Sequence, residues 1–270
     1  MDQDAAHESF YLEHINGRGR ALVSSGEVER DTIICTKVPE IIVLYSDYCS
    51  SHCNQCSSSN NTTLCMDCKC FAFCTSCIDD AVTRNLHKFE CDLFCELPDE
   101  VREGDTDYLR FILRYCAFIQ LNDPRQKAID SLTTMRESQS AEFLRWAGSY
   151  ASLIVTFFAN KINVTEDELI DLLCRVQTNA FGFPFTQENT FGWSIQSTLS
   201  LLNHDCMPNC YIAPIDERSG VMSIRASKKI LPGEELTIAY MQADGNATIR
   251  DELFDRYRFH CSCRMCTPAL

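Results

Sequence analysis

The sequence predicts an α+β fold in which short strands at both ends of the chain enclose a cysteine-rich segment and a helical segment. Three observations carry this. β-branched clusters separated by polar turns lie before residue 49 and after residue 177. Apolar residues recur at helical spacing between them. Cysteines fall in close pairs of the kind that bind metal.

The elements follow in order. Ala21-Leu22-Val23, Thr32-Ile33-Ile34 and Ile41-Ile42-Val43-Leu44 read as strands. Tyr108, Phe111, Ile112, Tyr115, Phe118 and Ile119 mark one helix, and Phe143, Trp146, Tyr150, Leu153, Ile154 and Phe157 a second; both stripes are assigned to the core. Thr165-Glu166-Asp167-Glu168 has the form of a capping box, followed by the apolar face Leu169, Leu172, Leu173 and Val176. Tyr211 to Pro214 and Val221 to Arg225 flank the polar turn Asp216-Glu217-Arg218-Ser219-Gly220 and predict a hairpin. Leu231-Pro232-Gly233-Glu234 is a turn leading into a strand from Glu235 to Tyr240.

The 270 residues, 45% hydrophobic with 16 Phe and 9 Tyr, suffice for a real core. Eighteen cysteines raise the question of disulfides. The start, Met1-Asp2-Gln3-Asp4, is acidic with no secretory h-region behind it, and many cysteines sit in C-x2-C pairs, so a reducing compartment and metal are expected. No apolar run approaches the roughly 18 residues that span a bilayer. A net charge of −14 disfavours nucleic acid and suits a basic partner such as a lysine-rich protein tail.

Cys53-x2-Cys56, Cys65-x2-Cys68, Cys74-x2-Cys77 and His87-x3-Cys91 supply ligands for two zinc ions at four each. Interleaved pairing gives Cys53, Cys56, Cys74 and Cys77 to one ion and Cys65, Cys68, His87 and Cys91 to the other. Cys70 lies close enough to Cys68 and Cys74 to replace either. Three basic residues here (Lys69, Arg84, Lys88) face a larger number of acidic ones, the opposite of a DNA-reading finger. Cys261-x-Cys263-x2-Cys266 is one thiol short of a third tetrahedral site, and Cys206 can complete it. That ion would gather Asn203, His204 and Phe259 around one pocket. The remaining cysteines, such as Cys35, Cys116 and Cys174, read as buried or free thiols.

With these residues in place, the chain resembles the SET-and-MYND (SMYD-type) protein lysine methyltransferases. Asn203-His204-x-Cys206-x-Pro208-Asn209 resembles that family's NHxCxPN motif, and Gly233-Glu234-Glu235-Leu236-Thr237-Ile238-Ala239-Tyr240 its GEELxxxY strand. The resemblance implies a mostly β SET core of short sheets with a pseudoknot-like active site. It places SET parts at 1–48 and 177–245, a MYND-type finger at 49–95, a helical insert at 96–176 and a post-SET zinc segment at 246–270. The finger departs from the family in its Cys74-x2-Cys77 spacing, and Ala21 stands for the second glycine of the GxGL turn.

The resemblance further implies methyl transfer from S-adenosylmethionine to lysine side chains of histone tails or other proteins, with three zinc ions. Tyr240 and Tyr257 would be catalytic, walling a lysine channel. Arg18, Gly19, Arg20, Asn179, Ser200, Asn203, His204 and Phe259 would bind the cofactor, Phe259 stacking on adenine. His204 is not expected to act as a base. A monomer in the nucleus or cytoplasm is expected, with a possible peptide ligand on the finger. The alternative is a catalytically inactive adaptor that binds peptides or proteins through that finger in transcriptional regulation.

Overall fold

Strand β1 (Phe10–Ile15) pairs antiparallel with β2 (Gly19–Ser24) through a tight turn in the computed structural model, which describes residues 9–183, 190–215, 220–241 and 248–267. Gly17 and Gly19 hold φ of +76° and +75°, the left-handed region that suits glycine. The sequence reading began its strands after β1, whose middle four residues are exposed and give no buried face to detect. Strand β3 (Ile33–Lys37) follows, one residue later than expected.

The chain forms two compact units, and after Val38 it enters the second. There β4 (Ile41–Leu44) is followed by the short hairpin of β5 (Thr62–Leu64) and β6 (Ala72–Cys74). Next come α1 (Thr75–Asp79), α2 (Ala81–Phe94), α3 (Asp99–Arg102), α4 (Asp107–Leu121), α5 (Arg125–Asp130), α6 (Ala141–Phe157) and α7 (Glu166–Asn179). The expected capping box is formed at Thr165: its hydroxyl accepts from the Glu168 N–H, and the Glu168 carboxylate accepts from the Thr165 N–H. Strands β7 (Ala180–Phe183) and β8 (Gly192–Ile195) complete a three-stranded sheet in the order β4-β8-β7. Gly192 is required there, because a Cβ would lie 2.3 Å from the Val43 carbonyl oxygen.

One continuous apolar core fills this unit, from Ile41 and Phe73 through Phe94, Phe111 and Phe118 to Leu169 and Leu173. The α6 stripe corrects the sequence reading. Ala147, Ala151 and Ile154 are the buried residues, whereas Trp146, Leu153 and Phe157 are 39%, 63% and 43% exposed. Small side chains at the contact let helices approach closely, so the bulky residues occupy the outer flank.

The chain returns to the first unit at Thr198. A 3-10 turn (Leu199–Leu201) precedes β9 (Asn203–His204), then β10 (Cys210–Pro214) and β11 (Met222–Ala226), which form a sheet in the order β10-β11-β3. The hairpin was expected; its turn residues 216–219 lie outside the described residues. Strand β12 is only Thr237–Ile238, shorter than the expected Glu235–Tyr240, and pairs parallel with β9. Helix α8 (Thr248–Tyr257) leads to the final cysteines. Among the described residues, no helix is long and apolar enough to cross a membrane.

Candidate active site and metal centres

The site of the first unit is built on the two-residue parallel pair β9/β12, held by side chains rather than by ladder length. Asn209 Nδ2 donates to the Glu235 carbonyl at 2.8 Å, and its Oδ1 accepts from the Thr237 N–H at 2.9 Å. Asn203 Nδ2 donates to Glu235 Oε1 at 2.8 Å and to the Arg20 carbonyl at 3.1 Å. Arg18 reaches Glu235 Oε2 at 2.8 Å and donates from Nη2 to the His204 carbonyl at 3.0 Å. The entry turn and the Asn203 segment are thus tied through one carboxylate.

Sequence reasoning missed Glu235 and gave Asn209 no role. Beside Glu235 in the chain, Glu234 caps its own turn by accepting from the Leu231 N–H at 3.1 Å. Nothing local distinguishes the two glutamates; the distinction comes from Arg18, which is remote in sequence.

His204 is buried, and its Nδ1 accepts from the Tyr240 N–H at 3.0 Å. Its proton therefore sits on Nε2, 3.2 Å from Cys206 Sγ. Burial holds the imidazole below its ordinary pKa, with Arg18 adding to the effect against the opposing charge of Asp205. A neutral ring with both nitrogens engaged is a brace, not a base.

Tyr240 is half-buried, with its hydroxyl directed inward to donate to the Leu202 carbonyl at 2.8 Å. Burial there pushes the phenol above its usual pKa. Its ring centroid lies 4.8 Å from that of Tyr257 and 5.4 Å from the His204 ring, with Phe259 edge-on at 6.2 Å. Phe259 also sits 6.0 Å from His204. Ser200 lies half-buried in the 3-10 turn. Tyr240, Tyr257, Arg18, Gly19, Arg20, Ser200, Asn203, His204 and Phe259 all belong to the first unit. Asn179 belongs to the second, where it is buried at the end of α7 and donates to the carbonyls of Thr133 (2.9 Å) and Arg175 (2.8 Å).

Three groups of ligand atoms converge: Cys53/Cys56/Cys74/Cys77, Cys65/Cys68/His87/Cys91 and Cys206/Cys261/Cys263/Cys266, with the atoms of each within 4.8 Å of one another. Sulfur separations of 3.7 Å (Cys56–Cys74), 3.8 Å (Cys65–Cys91), 3.8 Å (Cys206–Cys261) and 3.6 Å (Cys206–Cys266) recur. A tetrahedron with Zn–S bonds of about 2.3 Å has edges of ~3.8 Å, whereas a disulfide needs about 2.05 Å. Both ring nitrogens of His87 are buried without a hydrogen-bond partner, a cost that coordination through one of them would lower. The donor sets therefore fit zinc. Cys70 stands outside all three groups.

A family model described as the SET domain matches residues 19–241, and the chain belongs to that family. Its relatives include proteins of the SET-and-MYND type. It is 25% identical to the histone-lysine N-methyltransferase ASHR1 of Arabidopsis thaliana, over 93% of this chain and 53% of that protein. It is 24% identical to the N-lysine methyltransferase SMYD2-B of Danio rerio, over 80% and 50%. The SET domain of LSMT bound to lysine and AdoHcy shares the fold, with a TM-score of 0.51 at 14% identity over 95% of this chain and 54% of that one. The chain spans about half the length of the curated relatives it matches.

Proposed function

We propose that this chain is a protein-lysine N-methyltransferase that uses S-adenosylmethionine, with zinc in each of its three cysteine groups. The observation that carries the reading is the fixing of Tyr240 at both ends. Its N–H is held by His204 Nδ1, its hydroxyl by the Leu202 carbonyl, and its ring lies beside Tyr257 and Phe259.

The residues present suit the cofactor. The entry turn around Gly19 has open space where a Cβ would point, so a ligand can approach its backbone. Asn203 and Phe259 are half-buried, offering an amide and an aromatic face in the same unit. Bound S-adenosylmethionine would supply an activated methyl group for in-line transfer to an amine.

The protein's part is alignment, which can contribute roughly 7–11 kcal/mol when reacting atoms are held in attack geometry. Tyr240 has its proton committed to the Leu202 carbonyl, so it acts by orienting the amine and accepting weak contacts, not as a base. The incoming lysine must lose a proton, at a cost of about 4.6 kcal/mol at pH 7 from a pKa of about 10.4. Tyr240 and Tyr257 form the channel that presents the amine. A net charge of −14 favours encounter with lysine-rich segments, histone tails or others. The Cys206 group has four thiolates and no open position, so its role is to hold Phe259 beside His204.

The test is calorimetric titration of S-adenosylmethionine into zinc-loaded protein, with Asn203→Ala as control. One-to-one saturable binding, lost in the variant, upholds the reading. Absence of binding to folded, fully metallated protein would leave the SET core a scaffold.

A further inference from the structure

The cysteine-rich segment is tied to α4 by a buried network that metal ligation alone does not require. Arg114 on α4 is 6% exposed and Glu90 on α2 is 1% exposed. Arg114 binds Glu90 in a two-pronged fork, Nε to Oε1 and Nη2 to Oε2, the latter at 3.0 Å. Its remaining arm, Nη1, donates to Gln55 Oε1 at 3.0 Å. One guanidinium thus holds two parts of the segment at once.

Each partner borders a different metal group. Glu90 Oε2 lies 3.9 Å from His87 Nδ1, on that side of the ring and beyond hydrogen-bond distance. Phe71 and Phe73 pack around that imidazole, with centroids 5.3 Å and 4.6 Å away, which leaves Glu90 to receive the Nδ1 proton. Gln55 sits between the ligands Cys53 and Cys56, and its own N–H faces the Cys53 sulfur. A ligating histidine needs an acceptor for its other N–H, and such outer partners fix tautomer and ring angle. A buried Arg–Glu pair, by contrast, is often no more stabilising than apolar residues of the same volume. Fold stability therefore gives no sufficient reason for the network, and ligand orientation does.

We propose that Arg114 is a positioning residue for both metal centres of the cysteine-rich segment. Through Glu90 it sets the His87 imidazole of one; through Gln55 it sets the Cys53–Cys56 turn of the other. Metal occupancy and the seating of α4 are then one linked equilibrium, each favouring the other. The inference rests on the reading that these groups hold zinc.

Cadmium-113 NMR of the full chain, combined with chelator competition, tests it because each ion gives its own resonance. In Glu90→Gln, the ion of the Cys65/Cys68/His87/Cys91 group should be released at roughly 10–100-fold lower chelator and its resonance should shift, while the other two hold. In Arg114→Gln, both ions of the segment should loosen and the Cys206 group should keep its ion. Arg114→Lys keeps the charge but not the fork and should rescue at most one of the two. Wild-type protein that takes up no metal in the segment would overturn the zinc reading and the inference with it. Normal uptake by wild type, with both Gln variants releasing metal at wild-type chelator concentrations, would overturn the inference alone. If Arg114→Gln sheds all three ions through unfolding, Glu90→Gln decides: selective loosening upholds the proposal and wild-type release defeats it.

Discussion

The cysteine-rich segment and the Cys206 group use the same chemistry in opposite ways. All eight ligands of the segment fall between Cys53 and Cys91, so each ion closes short loops. They sit in a large apolar core beside Phe71, Phe73, Leu86 and Phe94. The Cys206 group instead joins Cys206 to Cys261, Cys263 and Cys266 across a long stretch of chain, and its apolar surroundings are small: Leu253, with Tyr240, Tyr257 and Phe259 packed against it. Where burial is slight, metal carries more of the folding free energy. The group with the least apolar support is also the one that holds the aromatic residues of the proposed active site.

The largest effect should come from breaking that group. Cys263→Ser is expected to weaken S-adenosylmethionine binding by roughly 100-fold or more, because Phe259 is no longer held beside His204. Calorimetry on the variant reads this directly, and wild-type affinity would show that the ion and the cofactor site are uncoupled. Tyr240→Phe separates chemistry from binding. It loses the bond to the Leu202 carbonyl, so kcat should fall by about 100-fold through misalignment while cofactor affinity stays within about twofold. In the wild type the phenol is pushed up by burial and stays protonated. The rate should therefore climb with pH as the substrate lysine deprotonates, with no downturn from Tyr240 before about pH 10. A rate that falls below that pH would give Tyr240 an ionised role.

Cys68→Ser supplies the contrast. It should cost one bound ion, measured by metal analysis, and leave S-adenosylmethionine affinity within about twofold, since the proposed cofactor residues other than Asn179 lie in the first unit. Affinity falling as far as in Cys263→Ser would erase the difference between the two kinds of cluster.

What the sequence disclosed follows the same division. Ligand sets in the segment were legible because C-x2-C and H-x3-C spacings are local, and the interleaving matches the groups that converge in space. Helices α4, α6 and α7 were legible from their period, but which flank of α6 faces inward was not. Ala147 and Ala151, with Ile154, outweighed Trp146, Leu153 and Phe157 there, and side-chain size alone pointed the wrong way. The site's frame was the least visible part. Glu235 acquires its role from Arg18 and Asn203, and Asn209 from Thr237, all partners distant in the chain. Strands of two or three residues, such as β5, β6 and β9, carry too little pattern to be read, and β12 was read only as part of a longer strand.

The smallest expected effect lies in the helical part of the second unit, where local rules sufficed. Thr165 and Glu168 satisfy each other's backbone N–H groups at 3.2 Å and 2.8 Å, so Thr165→Ala leaves the Glu168 N–H in the first turn of α7 without its acceptor. The cost should be about 1 kcal/mol, or a Tm lower by roughly 2–4 °C, read in the transition of the helical unit. Because the two residues act together, Thr165→Ala with Glu168→Ala should cost less than the two separate changes summed. Cofactor affinity should not move. An additive double variant would mean that the box is two independent contacts, and a fall in affinity would mean that α7 supports the cofactor site, as the expected role of Asn179 at its end would require.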